Sequence, residues 1–459
     1  MQVISYNMAT NRMSTPAHIT ILGGGPAGLI VGYYAKKNGL PFTIYEASNW
    51  VGGNCITLRH RDFLFDSGAH RFHDKYREVT DEIKRLLKED FKKIYLPSQI
   101  YHKGKLIDFP LSPLNLMKNL GLYTFTKARV EVARSRLRPK ELNKSFESFA
   151  LNTYGNTIAD RFLLNYSEKL WGASCNRLSS NIAGKRIKGL DLRTFLIEAI
   201  FGRKAKTEHL DGSFYYPKTG IGTITKKLGE FCGEENILRN SRVTKILRNH
   251  SRIQAIEVNG KEKIDIDGIV STVPLNYFLQ VMEPAPPKEI AVLAKDLRYR
   301  NVILVALFLN RESVTEVATI YFPDHDFPFT RVYEPKNRSI YMSPSGKTSL
   351  VAEIPCQEED KLWSLEDDKL IKLVRSQFIK MGWIKGEEII DASVNTINNA
   401  YPILEIESEE KAQRIITFLE GFSNLWLSGR NGKFIYAGMH DMMKLGKQII
   451  EENISAGKK

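Results

Sequence analysis

The chain has 459 residues, is 42% hydrophobic, and carries 66 Lys and Arg against 52 Asp and Glu, a formal net charge of +14. This composition excludes a disordered or fibrous chain and leaves room for two or three packed domains. The basic residues are dispersed along the whole length, which argues for solvated surface and against nucleic-acid binding, while the positive field would concentrate an anionic small substrate near a cleft.

No run of 18 or more apolar residues occurs, and the opening "MQVISYNMATNRMSTPA" lacks a basic segment followed by an apolar one. Neither a membrane span nor a secretory signal is indicated, and a cytoplasmic location is expected. Cys55, Cys175, Cys232 and Cys356 form no CxxC pair, which speaks against a thiolate zinc site or a disulfide framework.

The first organised element is "HITILGGGPAGLIVGYYAKKNGLPFTIYEAS". A strand from His18 to Leu22 runs into Gly23, Gly25 and Gly28 in G-x-G-x-x-G spacing, then a helix bearing Ala27, then a strand from Phe42 to Tyr45 ending in Glu46. Gly23 allows the tight turn, Gly25 lets the backbone approach a pyrophosphate, and Gly28 lets helix and sheet pack closely. The helix N-terminus offers free N–H groups to phosphates, and Glu46 is placed to accept ribose hydroxyls. A dinucleotide site is expected.

"ASNWVGGNCITL" follows, where Gly52 and Gly53 make a second close approach with Asn54 beside them as a further cofactor contact, and "RDFLFDSGAHRF" reads as a short hairpin. The histidines of "FDSGAHRFHD", His70 and His73, admit three readings: metal ligands, core fillers, or walls of a cofactor pocket. Two histidines at i and i+3 with only Asp66 and Asp74 nearby make a poor metal site, and no metal is expected. Further on, "KARVEVARSRLRPKELNK" at 127–144 gathers Arg129, Arg134, Arg136 and Arg138. An exposed helix end closed by Pro139 is the favoured reading, with weak attraction to a membrane surface left open.

The double-glycine turn followed by a hairpin resembles the FAD-binding fold shared by amine oxidases, protoporphyrinogen oxidases and UDP-galactopyranose mutases, which implies FAD. Within that superfamily "SGAHRFH" resembles the mutase branch, and the resemblance implies that His70 lies against the flavin ring with His73 in support. "RFLLNYSEKLWGASCNRLSSNIAGKRIKGL" resembles a mutase block whose aromatics line the nucleotide cleft, which casts Tyr166 and Trp171 in those places and Arg186 near a phosphate. Without the resemblance, the same aromatics fit a buried helical stripe. "PFTRVYEPK" resembles the stretch whose arginine grips the substrate diphosphate, making Arg331 the strongest substrate candidate; read alone, Arg331 would be a strand-edge salt bridge with Glu334. Tyr401, before Pro402, and Tyr436, in "GRNGKFIYAGMHDMM", match substrate-facing tyrosines, and the same block implies Gly429 and Arg430 under the flavin and Met439 at a helix start. Gly438 stands where the mutases carry an acid.

The expected architecture is α/β: a discontinuous Rossmann-like FAD domain (17–75, 217–290 and 420–455, with Val243 among its cofactor contacts), a mainly helical substrate domain (76–216) and a mixed strand and helix substrate domain (291–419). The resemblance implies a nucleotide-sugar mutase acting through reduced flavin N5, supplied by an electron donor, with His70, Arg331, Tyr401 and Tyr436 at the reaction. An oxidoreductase passing a hydride from substrate to FAD is the alternative, and a non-enzymatic FAD-holding protein is the third reading.

Overall fold

In the computed structural model, which describes residues 15–109, 113–135, 144–183 and 213–455, the fully buried run Ile19–Leu22 forms β1, the centre of a five-stranded parallel sheet. Its neighbours are β2 (Phe42–Tyr45) and then β9 (Ile237–Leu238) on one side, and β13 (Gly268–Ser271) and then β20 (Leu425–Leu427) on the other. Helix α1 (Pro26–Lys37) connects β1 to β2, with nine consecutive residues from Ala27 to Ala35 buried. A strand covered on both faces is buried at every position, which is why all four residues of ITIL, Thr20 included, are buried. The five strands come from residue stretches more than 400 positions apart, and their carboxyl ends gather Gly23, Glu46, Thr272 and Ser428 on one edge.

An antiparallel ribbon of β10 (Val243–Arg248), β11 (Ile253–Val258) and β12 (Glu262–Asp265), extended by β14 (Met282–Glu283), is appended to this layer. A short hairpin does follow the glycine pair, but its strands are β3 (Thr57–His60) and β4 (Phe63–Asp66), so it begins before the segment 61–72 in which it was expected.

A seven-stranded mixed sheet runs in the order β19 (Ile389–Pro402), β15 (Tyr299–Leu309), β18 (Thr348–Cys356), β17 (Arg331–Tyr333), β16 (Thr319–Tyr321), β6 (Ser98–His102) and β7 (Lys105–Phe109). β15 shows how period-two geometry divides a uniformly apolar sequence. Ile303, Val305, Leu307 and Leu309 join a core with Leu370, Val374 and Phe378 of the helix Asp367–Lys380, whereas Val302, Leu304, Ala306 and Phe308 join another with Phe63 and Phe65 of the β3–β4 hairpin.

Residues 76–216, expected to be mainly helical, also supply strands. β6 and β7 extend the mixed sheet, and β5 (Phe91–Tyr95) pairs with β8 (Ser213–Pro217). The residues of β6 alternate in burial with period two, and Lys103 and Gly104, at φ +49° and +79°, make the tight turn into β7 that right-twisted strands favour. Arg136, Arg138, Pro139 and Arg186 lie outside the described residues.

Candidate active site

The glycine turn after β1 is built for close approach. A Cβ on Gly28 would stand 1.8 Å from the Gly23 carbonyl oxygen, so only glycine lets α1 cross the turn at that depth. Gly25 caps α1, and a Cβ on Gly53 would lie 3.1 Å from the Gly25 Cα; Gly52 N–H donates to Gly24 O at 2.8 Å, locking the two glycine turns together. The Glu46 carboxylate accepts Gly24 N–H at 2.6 Å, and Ser48 N–H and Oγ at 2.8 and 2.7 Å, which orients it while leaving lone pairs for further donors. Ala27 and Gly28 stand in the first turn, where amides have no intrahelical acceptor. On the third strand end Gly429 (φ +83°) packs so closely that a Cβ would lie 2.8 Å from that of Ala27. The buried hydroxyls of Ser271 and Ser428 have no partner. A fixed carboxylate, free first-turn amides and glycines that leave no side chain between them fit the ribose and pyrophosphate of FAD. Val243 opens β10, where its carbonyl accepts the Tyr277 hydroxyl at 2.7 Å, and Met439 is the first residue of the helix Met439–Gln448, capped by Gly438.

β4 delivers His70 through a buried polar network. The fully buried Asp66 carboxylate accepts Thr57 Oγ1 at 2.8 Å, Ile221 N–H at 2.9 Å and the Tyr216 hydroxyl, with Arg338 Nη1 3.9 Å away. Burial raises the Asp66 pKa, opposed chiefly by Arg338. His70 N–H donates to Gly68 O at 2.6 Å, its Nε2 lies 3.4 Å from Ser67 Oγ, and its carbonyl accepts Arg338 Nη1 at 3.3 Å. Burial, then the positive charges of Arg430, Arg331 and Arg338, lowers the imidazole pKa to about 3. At neutral pH His70 is therefore a neutral ring that can accept or donate. His73 sits 6.3 Å from the Phe214 ring, and no group of three metal-ligating side chains occurs among the described residues.

Next to Arg430, the residue after Gly429, stands a group of aromatics. A π-helical turn, Ala159–Leu164, precedes the helix Asn165–Trp171, shifting the register just before Tyr166. Trp171 packs edge-on against Tyr401 and Tyr436 at 5.9 and 5.2 Å, those two rings are 6.1 Å apart, and Tyr166 meets Tyr321 at 5.7 Å. Burial raises the Tyr166 pKa well above its ordinary value, with Arg331 opposing. Arg331 opens β17; its Nη2 donates to the Tyr401 hydroxyl at 2.9 Å and pairs with Glu353, its register partner on β18. Burial opposes the Arg331 charge, but Glu353 together with Tyr401, Tyr166 and Tyr436 outweighs it and the guanidinium stays charged.

The salt bridge that a bare reading assigned to Glu334 is corrected: Glu334 points to the other side of β17 and is consumed by Val314 N–H, Thr315 N–H and Thr348 Oγ1, because successive side chains on a strand face opposite ways.

Arg430, expected under the flavin, is held by its protein neighbours. It lies over the Tyr401 and Tyr436 rings at 5.1 and 5.5 Å and donates to the carbonyls of Ala437 (2.8 and 3.1 Å) and Ala400 (2.8 Å). Asn54 donates its side-chain amide to Asn398 O at 2.9 Å. The structure thus brings His70, Tyr166, Trp171, Arg331, Tyr401, Arg430 and Tyr436 into one cluster.

Two residues were missed from the sequence. Glu353 joins Arg331 to the Ala69 N–H next to His70; its signal was a lone acid inside the wholly buried strand TSLVAEIPC. Lys169 donates to the carbonyls of Phe322 and Asp324 at 2.7 Å and Phe329 at 3.1 Å, fastening the aromatic helix to the segment leading into Arg331. Burial lowers its pKa to about 8.

Comparison with known proteins places this geometry. A curated relative, coproporphyrinogen III oxidase of Bacillus subtilis (strain 168), is 20% identical over 471 residues, spanning 95% of this chain and 98% of its own. The fold is shared with reduced UDP-galactopyranose mutase (TM-score 0.82, 21% identity, 97% of each chain). It is shared too with a chain from Exiguobacterium sp. 255-15 described as a protoporphyrinogen oxidase (TM-score 0.74, 18% identity, 96% of this chain and 99% of that one). Residues 26–457 match flavin containing amine oxidoreductase. With that match over nearly the whole described chain, this protein belongs to the flavin containing amine oxidoreductase family and its cofactor is FAD.

Proposed function

We propose that the protein acts on a nucleotide sugar as a mutase, with reduced FAD as its working cofactor. The observation that carries this reading is the hydrogen bond from Arg331 to Tyr401, with Tyr166 close to the guanidinium and Trp171 packed on Tyr401. A guanidinium suits a diphosphate, tyrosine hydroxyls suit sugar hydroxyls, and aromatic faces suit a base. FAD, when bound and reduced, supplies the nucleophilic N5 that reacts at the anomeric carbon.

The chain's own residues hold and orient. Tyr401 and Tyr436 are fixed by Arg430 and Trp171, so their hydroxyls have few rotamers to lose on binding. His70, neutral at working pH, offers a hydrogen bond beside the cradle without adding charge. Glu353 keeps Arg331 aimed along β17 and ties it to the turn that bears His70.

That ion pair also favours a second reading. A guanidinium already partly neutralised attracts a diphosphate less, and an oxidoreductase transferring a hydride from substrate to FAD needs no anion grip. The test is to reduce the FAD-loaded protein with dithionite and screen nucleotide sugars for ring isomers by chromatography. A parallel aerobic screen for peroxide uses amines and porphyrinogens. Ring isomers support the mutase; peroxide without isomers would sink it in favour of the oxidoreductase.

A further inference from the structure

The backbone just before Tyr401 is unusually engaged. Asn399 lies in the left-handed region at φ +50°, and the pairing of β19 with β15 breaks register between Arg300 and Val302. Three successive carbonyls there accept side-chain donors from distant segments. Asn398 O accepts Asn54 Nδ2 at 2.9 Å; Asn399 O accepts Asn431 Nδ2 at 2.9 Å and Asn54 Nδ2 at 3.3 Å; Ala400 O accepts Arg430 Nη1 at 2.8 Å. The Asn399 amide is held as well, donating to Asn301 Oδ1 at 2.9 Å.

Each carbonyl-seeking donor belongs to a cradle segment: Asn54 follows Gly53, and Arg430 and Asn431 follow Gly429. The residue after Ala400 is Tyr401, whose hydroxyl receives Arg331. A continuous path of backbone and hydrogen bonds therefore runs from the cofactor cradle to the substrate-facing side chains.

We infer that the carbonyls of Asn398, Asn399 and Ala400 couple the cradle to Tyr401, with Asn431 a positioning residue for the substrate side of the site. Ordering of the 53–54 and 429–431 segments around FAD presses the donors onto this backbone and holds Tyr401 in reach of Arg331. The coupling is reciprocal, so loosening residues 398–400 also loosens the cradle. Ordinary stitching of two layers would give the same contacts without dependence on FAD, and that difference is measurable. The inference rests on the FAD assignment; its substrate consequence alone rests on the nucleotide-sugar reading.

The experiment is hydrogen–deuterium exchange of a peptide covering residues 396–402 in FAD-loaded and FAD-stripped full-length protein. Stripping wild type should speed exchange there roughly two- to tenfold, the range of one hydrogen bond's net contribution. Loaded Asn431→Ala should already exchange at the faster rate, and Asn431→Gln, which restores a donor, should recover part of the protection. Equal exchange in loaded and stripped wild type, or loaded Asn431→Ala matching loaded wild type, overturns the coupling. If Asn431→Ala fails to hold flavin, the wild-type comparison decides by itself. Titration with uridine diphosphate forms a separate arm: absence of binding to wild type removes the nucleotide-sugar reading and leaves the exchange result standing.

Discussion

Arg331 donates to the Tyr401 hydroxyl at 2.9 Å while its charge is met by the buried carboxylate of Glu353. The arginine is thus both a substrate candidate and half of a buried ion pair, and the two roles respond differently to substitution.

Arg331→Ala should weaken uridine diphosphate binding roughly tenfold or more, as expected for loss of a charge-assisted hydrogen bond of about 1.5–3 kcal/mol. It should also destabilise the fold by about 3–5 kcal/mol, because Glu353, 1% exposed as a side chain, is left without its counter-charge. Combining Arg331→Met with Glu353→Gln should restore much of the stability and none of the affinity. Urea unfolding and calorimetric titration of the two variants check this; a double variant no more stable than Arg331→Ala would contradict it.

His70→Ala should retain FAD and lose turnover. The ring's folded pKa of about 3 lies below the unfolded value of about 6.5, so the unfolded chain takes up the proton first. The stability contributed by neutral His70 is present above about pH 6.5 and is lost as pH falls toward 3. Wild type should therefore lose more melting temperature than His70→Phe between pH 7.5 and 5, and equal losses would show that His70 does not titrate as described.

Gly25→Val and Gly28→Ala should fail in different ways. A Cβ at Gly25 meets nothing nearer than the Gly53 Cα at 3.8 Å, so the variant should fold but bind no flavin, its side chain occupying the pyrophosphate approach. At Gly28 even a methyl group meets the Gly23 carbonyl oxygen, so the turn itself must shift and stability should fall too. Visible absorbance and melting curves separate the outcomes.

Lys169→Met should leave flavin content intact while loosening the helix that carries Tyr166 and Trp171. Three carbonyls lose a charged donor, for a cost of about 1–3 kcal/mol. Nucleotide affinity should fall with the stability, and an unchanged affinity would confine Lys169 to a structural role.

Short-range chemistry was legible in the residues. The turn after β1 follows from glycine spacing, because close approach and the crossing of α1 are local steric requirements, and the strands flanking it are local apolar runs. A hairpin close behind the glycine pair was likewise readable from local pattern. The π-turn before Tyr166 left no such mark, since it changes register without changing composition.

Partner choice was decided only by the tertiary structure. Whether Arg331 pairs with Glu334, three positions away, or Glu353, 22 away, depends on which face of β17 each side chain takes and which strand lies alongside. β6 and β7 join a sheet whose other strands begin some 200 residues later, a choice set by the open edge of β16. Arg430 and Asn54 turn toward the carbonyls of 398–400 because the left-handed Asn399 exposes them. Local sequence determined the FAD cradle because its constraints act within a few residues of backbone; the aromatic cluster around Arg331 was settled by packing among segments that meet only once the chain is folded.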